Sequence, residues 1–417
     1  MATQFRSNLS GRSRLALTFA VALACMWVLA TGMAGASTAH HEPVGAVYTQ
    51  NNDQAANSVI VWDRYRDGTL AKRQAVLTGG QGSAQSVGCG TGCPILDSQN
   101  AVVVSENEKL VFAVNAGSNT VSSFRETHSG LQLVDQKPSG GNTPESLALN
   151  DNVLYVLNVA TENGNGTRGN IYGFRVSNHG QLTPNGSSRT LAHGAPPDHS
   201  ADPRAIGFKP NGRVIVVTEL AGGGDSGPPG KIDTFVVNSH GQAGPAVSHD
   251  SSDPLPFGFA FDNSDHLVVS NIHSLEPGVT GTVSSYEVSN SGNVTPIDTK
   301  QSGGHAPCWV AIADHVAYVV NTGGGEGPAR VVNYRLSHHG TLTQEGTVEH
   351  PGDFAQTDVS LSENNRYVYV LAPSVGVPGQ TSHIDAWRRD HDGSLTFIGS
   401  TPADSDMGVG ATGLAAN

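Results

Sequence analysis

Long runs of helical periodicity are missing from this sequence and charged residues make up only 14% of it, which sets aside a helical bundle as the main architecture. No Pro-rich or like-charge run exceeds a few residues and no low-complexity linker divides the chain. One domain is therefore expected, although 417 residues would ordinarily suggest two or three. Familiar catalytic signatures are absent as well. Without a Gly-x-Ser-x-Gly elbow, a phosphate-cradling loop or a His-Glu-x-x-His pattern, serine-hydrolase, nucleotide-binding and zinc-protease readings have no support. The Gly-rich stretches AGGGDSGPPG and TGGGEGPA lack the Lys-Ser/Thr of a P-loop and read as long loops, places where a ligand or protein could bind.

Basic charge is scarce. Arg6, Arg12 and Arg14 precede the apolar run LALTFAVALACMWVLATGMAGA, which ends in Ala34-Gly35-Ala36, a small-residue cleavage pattern. Residues 1–36 read as a secretory signal peptide and residues 37–44 as a flexible N-terminal segment, with an uncleaved anchor helix as the alternative to cleavage. Lipidation at Cys25 is disfavoured because Ala22 stands where an aliphatic residue is usual. The remainder carries 20 Lys+Arg against 36 Asp+Glu, a balance of −16 that repels nucleic acid and anionic membranes. The expected location is outside the cell, in the periplasm or in the cell envelope, with no membrane span after cleavage.

Cysteine is also rare. Cys89 and Cys93 in CGTGC suit a short-loop disulfide in an exported protein, and a zinc site there would need two further ligands. Cys308 reads as a buried small apolar residue rather than a nucleophile.

What the chain has in quantity is glycine, 51 residues of it, punctuating short apolar strands. A phrase recurs seven times at a spacing of roughly 40–55 residues. It runs through GAVYTQ…NSVIVWDRYRDGTL, KLVFAVNAGSNTVSSFRETHSGL, NVLYVLN…GNIYGFRVSNHGQL, RVIVVTE…GKIDTFVVNSHGQA, DHLVVSN…GTVSSYEVSNSGNV, HVAYVVN…ARVVNYRLSHHGTL and RYVYVLA…SHIDAWRRDHDGSL. A leading apolar strand precedes most copies, as in TPESLAL, DPRAIGF, LPFGFAF and APCWVAI. Four strands per unit predict an all-β, seven-bladed β-propeller over residues 45–417. The first copy lacks its leading strand, and the tail MGVGATGLAAN, about residues 408–416, is expected to supply it. An open solenoid is the alternative.

Within DPRAIGFKPNGRVIVVTEL, counting outward from an Asn211-Gly212 hairpin turn puts Arg204 opposite Glu219. Aligning the copies places Ala101, Glu145, Phe257, Cys308 and Thr357 where Arg204 stands. The charged pair occurs in this blade alone, at the expected mouth of the central channel. One reading is an ordinary cross-strand ion pair, worth roughly 0.2–1 kcal/mol. The other is a site, because burying ions at a narrow mouth costs several kcal/mol before attraction offsets it. His199, in PPDHSADPR, could approach the same mouth or be a solvated loop histidine. His305 and Trp309 lie near it too, and Trp309 could stack on a ligand or pack between blades. His179, His240, His338 and His339 recur at the turn before each outer strand, which points to turn chemistry rather than metal ligation.

Phrases such as LVFAVNAGSNTVSSFR, DPRAIGFKPNGRVIVVTEL and APCWVAIADHVAYVVN resemble the lactonase-type seven-bladed propellers, which include bacterial 6-phosphogluconolactonases and fungal carboxymuconate cyclases. The resemblance spans residues 45–416. In the cyclase branch it implies a site built from a histidine of the preceding blade, an arginine and glutamate matching Arg204 and Glu219, and an arginine of the following blade. Here Glu145 stands at the histidine position and Phe257 at that of the second arginine. Ala205 replaces the histidine that often follows the arginine in the phosphogluconolactonase branch.

Lactone opening needs a base to activate water and a positive group for the oxyanion. Arg204 is the candidate anion binder, Glu219 and Glu145 are the candidate catalytic carboxylates, and His199, His305 and Trp309 are candidate substrate contacts. The expected function is a secreted lactonase-like hydrolase or isomerase acting on a small acidic lactone, without cofactor or metal. The alternative is a non-catalytic propeller serving as a binding platform for a ligand or protein.

Overall fold

The computed structural model describes residues 42–83, 96–107, 109–159, 169–193, 202–220, 229–273, 278–323, 328–350, 355–374, 381–402 and 404–417. The leader, Cys89, Cys93 and His199 lie outside the described residues.

Strands rich in Val, Ile and Tyr, separated by Gly- and Asn-containing turns, form seven four-stranded antiparallel sheets. Blade 1 consists of Gly45–Gln50, Ser58–Arg64 and Leu70–Leu77, with Thr412–Ala416 paired antiparallel to Gly45–Gln50. The C-terminal strand thus completes the first blade, and the Asn417 backbone carbonyl accepts from Arg64 Nε at 2.7 Å. Blades 2 to 7 begin at Val102–Val104, Pro144–Asn150, Pro203–Phe208, Pro256–Phe261, Pro307–Ala313 and Thr357–Leu361, and each runs outward in sequence order. These six leading strands and Thr412–Ala416 contact one another in succession around a closed ring. Closure removes the exposed ends that an open solenoid would leave.

Blade seams are held by packing and by a recurring latch. Phe112, Leu147, Leu154 and Phe174, all fully buried, bind blade 2 to blade 3, and burying each such side chain contributes about 1.5–3 kcal/mol. The latch uses the glycine turn before the outer strand of six blades. Ser123, Tyr155, Thr234, Ser285, Tyr318 and Tyr369 each donate a hydroxyl to the carbonyl of Gly180, Gly241, Gly292, Gly340, Gly393 and Gly68 in the next blade. These glycines have φ between 70° and 90°, for example 90° at Gly180 and 88° at Gly393, which a side chain would strain.

Residues 96–100, just before the leading strand of blade 2, run into the central ring and bond to several blades. Gln99 Nε2 donates to Phe259 O at 2.9 Å and Val310 O at 3.1 Å, while its Oε1 accepts from Val310 N at 3.1 Å. Thr412 donates to Leu96 O, Ser146 to Gln99 O, and Trp309 Nε1 to Ser98 O. Residues 96–99 thus bridge the leading strands of several blades at the center of the propeller.

The hairpin count holds as far as Ala205 opposite Thr218 and then fails by one residue. A β-bulge at Arg204 sets Pro203, not Arg204, opposite Glu219. The irregularity recurs at Glu145 in blade 3 and Cys308 in blade 6. The residue before each of these prolines has positive φ: 50° at Thr143, 39° at Asp202 and 47° at Ala306. Blade 7 departs differently, with Thr357 opposite Leu371, Val359 opposite Val370 and the extra residue at Asp358.

Candidate functional site

The bulge frees the Arg204 side chain from strand alternation and directs it into the middle of the ring. It is fully buried. Nη2 lies 2.7 Å from the Asp202 carboxylate and Nη1 donates to Asp97 O at 3.2 Å. The guanidinium carbon sits 5.7 Å from the center of the Phe257 ring, which meets Trp309 edge-on at 5.3 Å. Phe257 therefore supplies an aromatic face to the guanidinium.

Glu145 and Asp97 complete the cluster. Glu145 is fully buried, and neither carboxylate oxygen has a hydrogen-bond partner among the described residues. Burial pushes its pKa well above the ordinary carboxylate value, opposed by the charge of Arg204 and reinforced by Asp202 and Asp97. Asp97 is raised to about 6, chiefly by burial, with Arg204 pulling it back. The carboxylates in turn hold the Arg204 pKa up despite the cost of burial. Burial thus pushes both carboxyls toward their acid forms beside a permanent cation.

Glu219 belongs to a different group. It is fully buried, and its Oε2 lies 3.6 Å from His193 Nδ1, with Asp233 completing a three-residue cluster. Arg204 and Glu145 are brought together, and Arg204 and Glu219 are each charge-paired elsewhere. Trp309 is buried, packed on Phe257 and bonded to Ser98, which is the packing alternative for this residue. His305 lines a separate cavity of about 220 Å³ with Thr280, Gly303, Gly323 and Arg330. Cys308 is a free, buried thiol beside the cluster, and burial drives its pKa well up. That environment disfavours a thiolate nucleophile. His199 cannot be placed against the cluster because it lies outside the described residues.

Sequence reasoning missed Asp97 and Asp202. Asp202 stands two residues before Arg204 in the quoted phrase and was within reach. Asp97 precedes blade 2 and carries no repeat signal.

The ring is a seven-bladed propeller with a buried arginine–carboxylate cluster at its center. Residues 53–165 match the family described as Lactonase, 7-bladed beta-propeller. No curated protein matches the chain in sequence. Among solved structures, a provisionally named 6-phosphogluconolactonase from Bacteroides uniformis is 16% identical, with 89% of this chain and 99% of that chain covered at a TM-score of 0.62. A second, from Bacteroides fragilis, is 16% identical, covering 89% and 98% at 0.60. The periplasmic gluconolactonase of Pseudomonas aeruginosa is 14% identical, covering 87% and 97% at 0.59. At such identities these likenesses are of fold.

Proposed function

We propose that the protein is an exported lactonase-like hydrolase that opens a small acidic lactone at the center of the propeller. The observation that carries this reading is the buried Glu145 carboxyl, lacking a hydrogen-bond partner among the described residues, beside the Arg204 guanidinium. Arg204 would hold the substrate carboxylate or the developing oxyanion through its planar fork. Asp97, ionised above about pH 6, would take a proton from the attacking water. Glu145, held in its acid form, would protonate the ring oxygen as the acyl C–O bond breaks. The product is the open hydroxy acid, and proton return from Asp97 to Glu145 through solvent restores the site.

Entry of substrate requires Asp97 O to leave Arg204 Nη1. Export through the leader of residues 1–36 is part of the same proposal. Among the described residues no helix is long and apolar enough to cross a membrane. The test is pH-stat titration of the mature protein on a panel of sugar lactones and carboxylated lactones. Acid release above buffer on at least one lactone, lost in Glu145→Gln, supports the reading. No release on any of them, at concentrations where the protein stays folded, turns the proposal over to a binding platform.

A further inference from the structure

Four blades share a buried polar residue at the end of the second strand. The second strand ends in asparagine, at Asn115, Asn158, Asn271 and Asn321. In blades 2 and 5 that asparagine donates to a serine two residues into the third strand: Asn115 to Ser122 at 2.8 Å and Asn271 to Ser284 at 2.9 Å. Blade 7 changes both positions together. Ala372 replaces the asparagine, opposite His383, and Asp385 stands at the serine position. Placing a buried carboxylate where other blades carry a serine departs from the repeat, and such a group is kept in the interior only by partners that offset its desolvation.

Two histidines converge on that carboxylate. His383 Nε2 lies 3.5 Å from Asp385 Oδ1, and His350 Nδ1, just past the outer strand Leu342–Glu349 of blade 6, lies 3.7 Å from Oδ2. One donor atom from each of the three falls within 4.8 Å of the others. His383 Nδ1 is 3.0 Å from Thr381 O, and a carbonyl can only accept, so Nδ1 carries the proton. In the neutral ring Nε2 then turns a lone pair toward a carboxylate oxygen. A hydrogen bond would draw these atoms to about 2.7–3.2 Å. Two ligands on one ion at about 2.0–2.2 Å stand apart by roughly the distances seen.

The surroundings match an orienting shell. Ser400 donates to Asp385 Oδ1 at 2.5 Å and Gln356 Nε2 to Oδ2 at 3.3 Å, which fixes the carboxylate plane. His350 is held by ring contact with Phe397 at 4.8 Å. Asp385 is fully buried while both histidines keep partial exposure.

We propose that His350 Nδ1, His383 Nε2 and Asp385 bind a divalent transition-metal ion of the zinc class at the seam between blades 6 and 7. Two imidazoles and one carboxylate favour zinc, cobalt or nickel over calcium and magnesium, which prefer all-oxygen sites. The ion ties the end of one blade's outer strand to the third strand of the next, so its role is to staple the ring. Blade 4 carries a related cluster, with Asp233 at the position of Asp385 and with His193 and Glu219 beside it.

The experiment uses the full chain, stripped with chelator and titrated with zinc chloride, with bound zinc counted after gel filtration and the thermal midpoint recorded. Zinc should bind and raise the midpoint. His383→Gln and Asp385→Asn should each lower the bound zinc by one equivalent or weaken its uptake at least tenfold, while the rim variant His338→Gln should leave it unchanged. Absence of zinc uptake by the unaltered chain, or uptake equal in all variants, overturns the proposal. Should a variant not fold, carbethoxylation by diethyl pyrocarbonate is mapped on the unaltered chain. Zinc should protect His350 and His383, and equal labelling with and without zinc overturns the assignment.

Discussion

Arg204 donates through Nη1 to the backbone carbonyl of Asp97 at 3.2 Å, so the cation at the center of the ring is held by the same segment that bridges the leading strands. Gln99, two residues on, bonds to Phe259 and Val310 in two further blades. Gln99→Ala leaves Val310 N–H and two carbonyls buried without that partner, at a cost of about 1–3 kcal/mol for each group left unsatisfied. Urea unfolding should therefore show a loss of at least about 2 kcal/mol, with the midpoint lowered and the slope kept.

Glu219 sits with His193 and Asp233 rather than with Arg204. Glu219→Gln should leave lactone turnover within a few-fold of the unaltered protein. Glu145→Gln should remove the proton donor and lower turnover by about a hundredfold or more. Steady-state kinetics on both purified variants make the comparison.

The pH dependence of turnover follows from the opposed roles of two carboxyls. Asp97, raised to about 6, must be ionised, so activity should rise as pH climbs through that value. Glu145, whose pKa is raised well above the ordinary value, must stay protonated, so activity should fall again once it ionises. A bell-shaped profile of kcat/KM is expected, and Asp97→Asn should remove its acid limb along with most of the activity.

Asp358, the extra residue in blade 7, is buried and accepts from Leu414 N at 2.8 Å and Val359 N at 2.9 Å, yet burial raises it to about 7. The folded state then binds a proton more tightly than the unfolded chain, where the carboxyl titrates near 3.8. Its contribution to stability is present at low pH and lost as pH rises from about 4 to about 7. Thermal melts across that window should fall with pH, and Asp358→Asn should flatten the dependence.

Seven blades were legible because the repeat is written in local chemistry: a β-branched run, a glycine turn, an outer strand. Closure by the C-terminal strand was legible because the first copy lacks a strand that the tail can supply. Arg204 and Glu145 were recognisable by aligning copies. The Arg204–Glu219 pairing was not, because a bulge leaves no mark that hairpin counting can detect, and the count is right up to Ala205 and Thr218. Asp97 escaped because its place depends on contacts with distant blades, such as Trp309 to Ser98. Asp385 with His350 and His383 escaped for a related reason, since the ligands come from two blades and only the repeat's broken Asn–Ser device marks the spot.

The central claim is that Arg204 and Glu145 together open a lactone. Its most direct test is the initial rate of acid release by pH-stat on the best lactone of the panel, for the unaltered protein, Arg204→Ala, Arg204→Lys and Glu145→Gln, each checked for folding by circular dichroism. The account expects turnover in the unaltered protein and a loss of at least about a hundredfold in Arg204→Ala and Glu145→Gln. Lysine should fail to restore it, because it lacks the planar fork. Turnover that persists in folded Arg204→Ala and Glu145→Gln would contradict the account and move the chemistry away from the center of the ring.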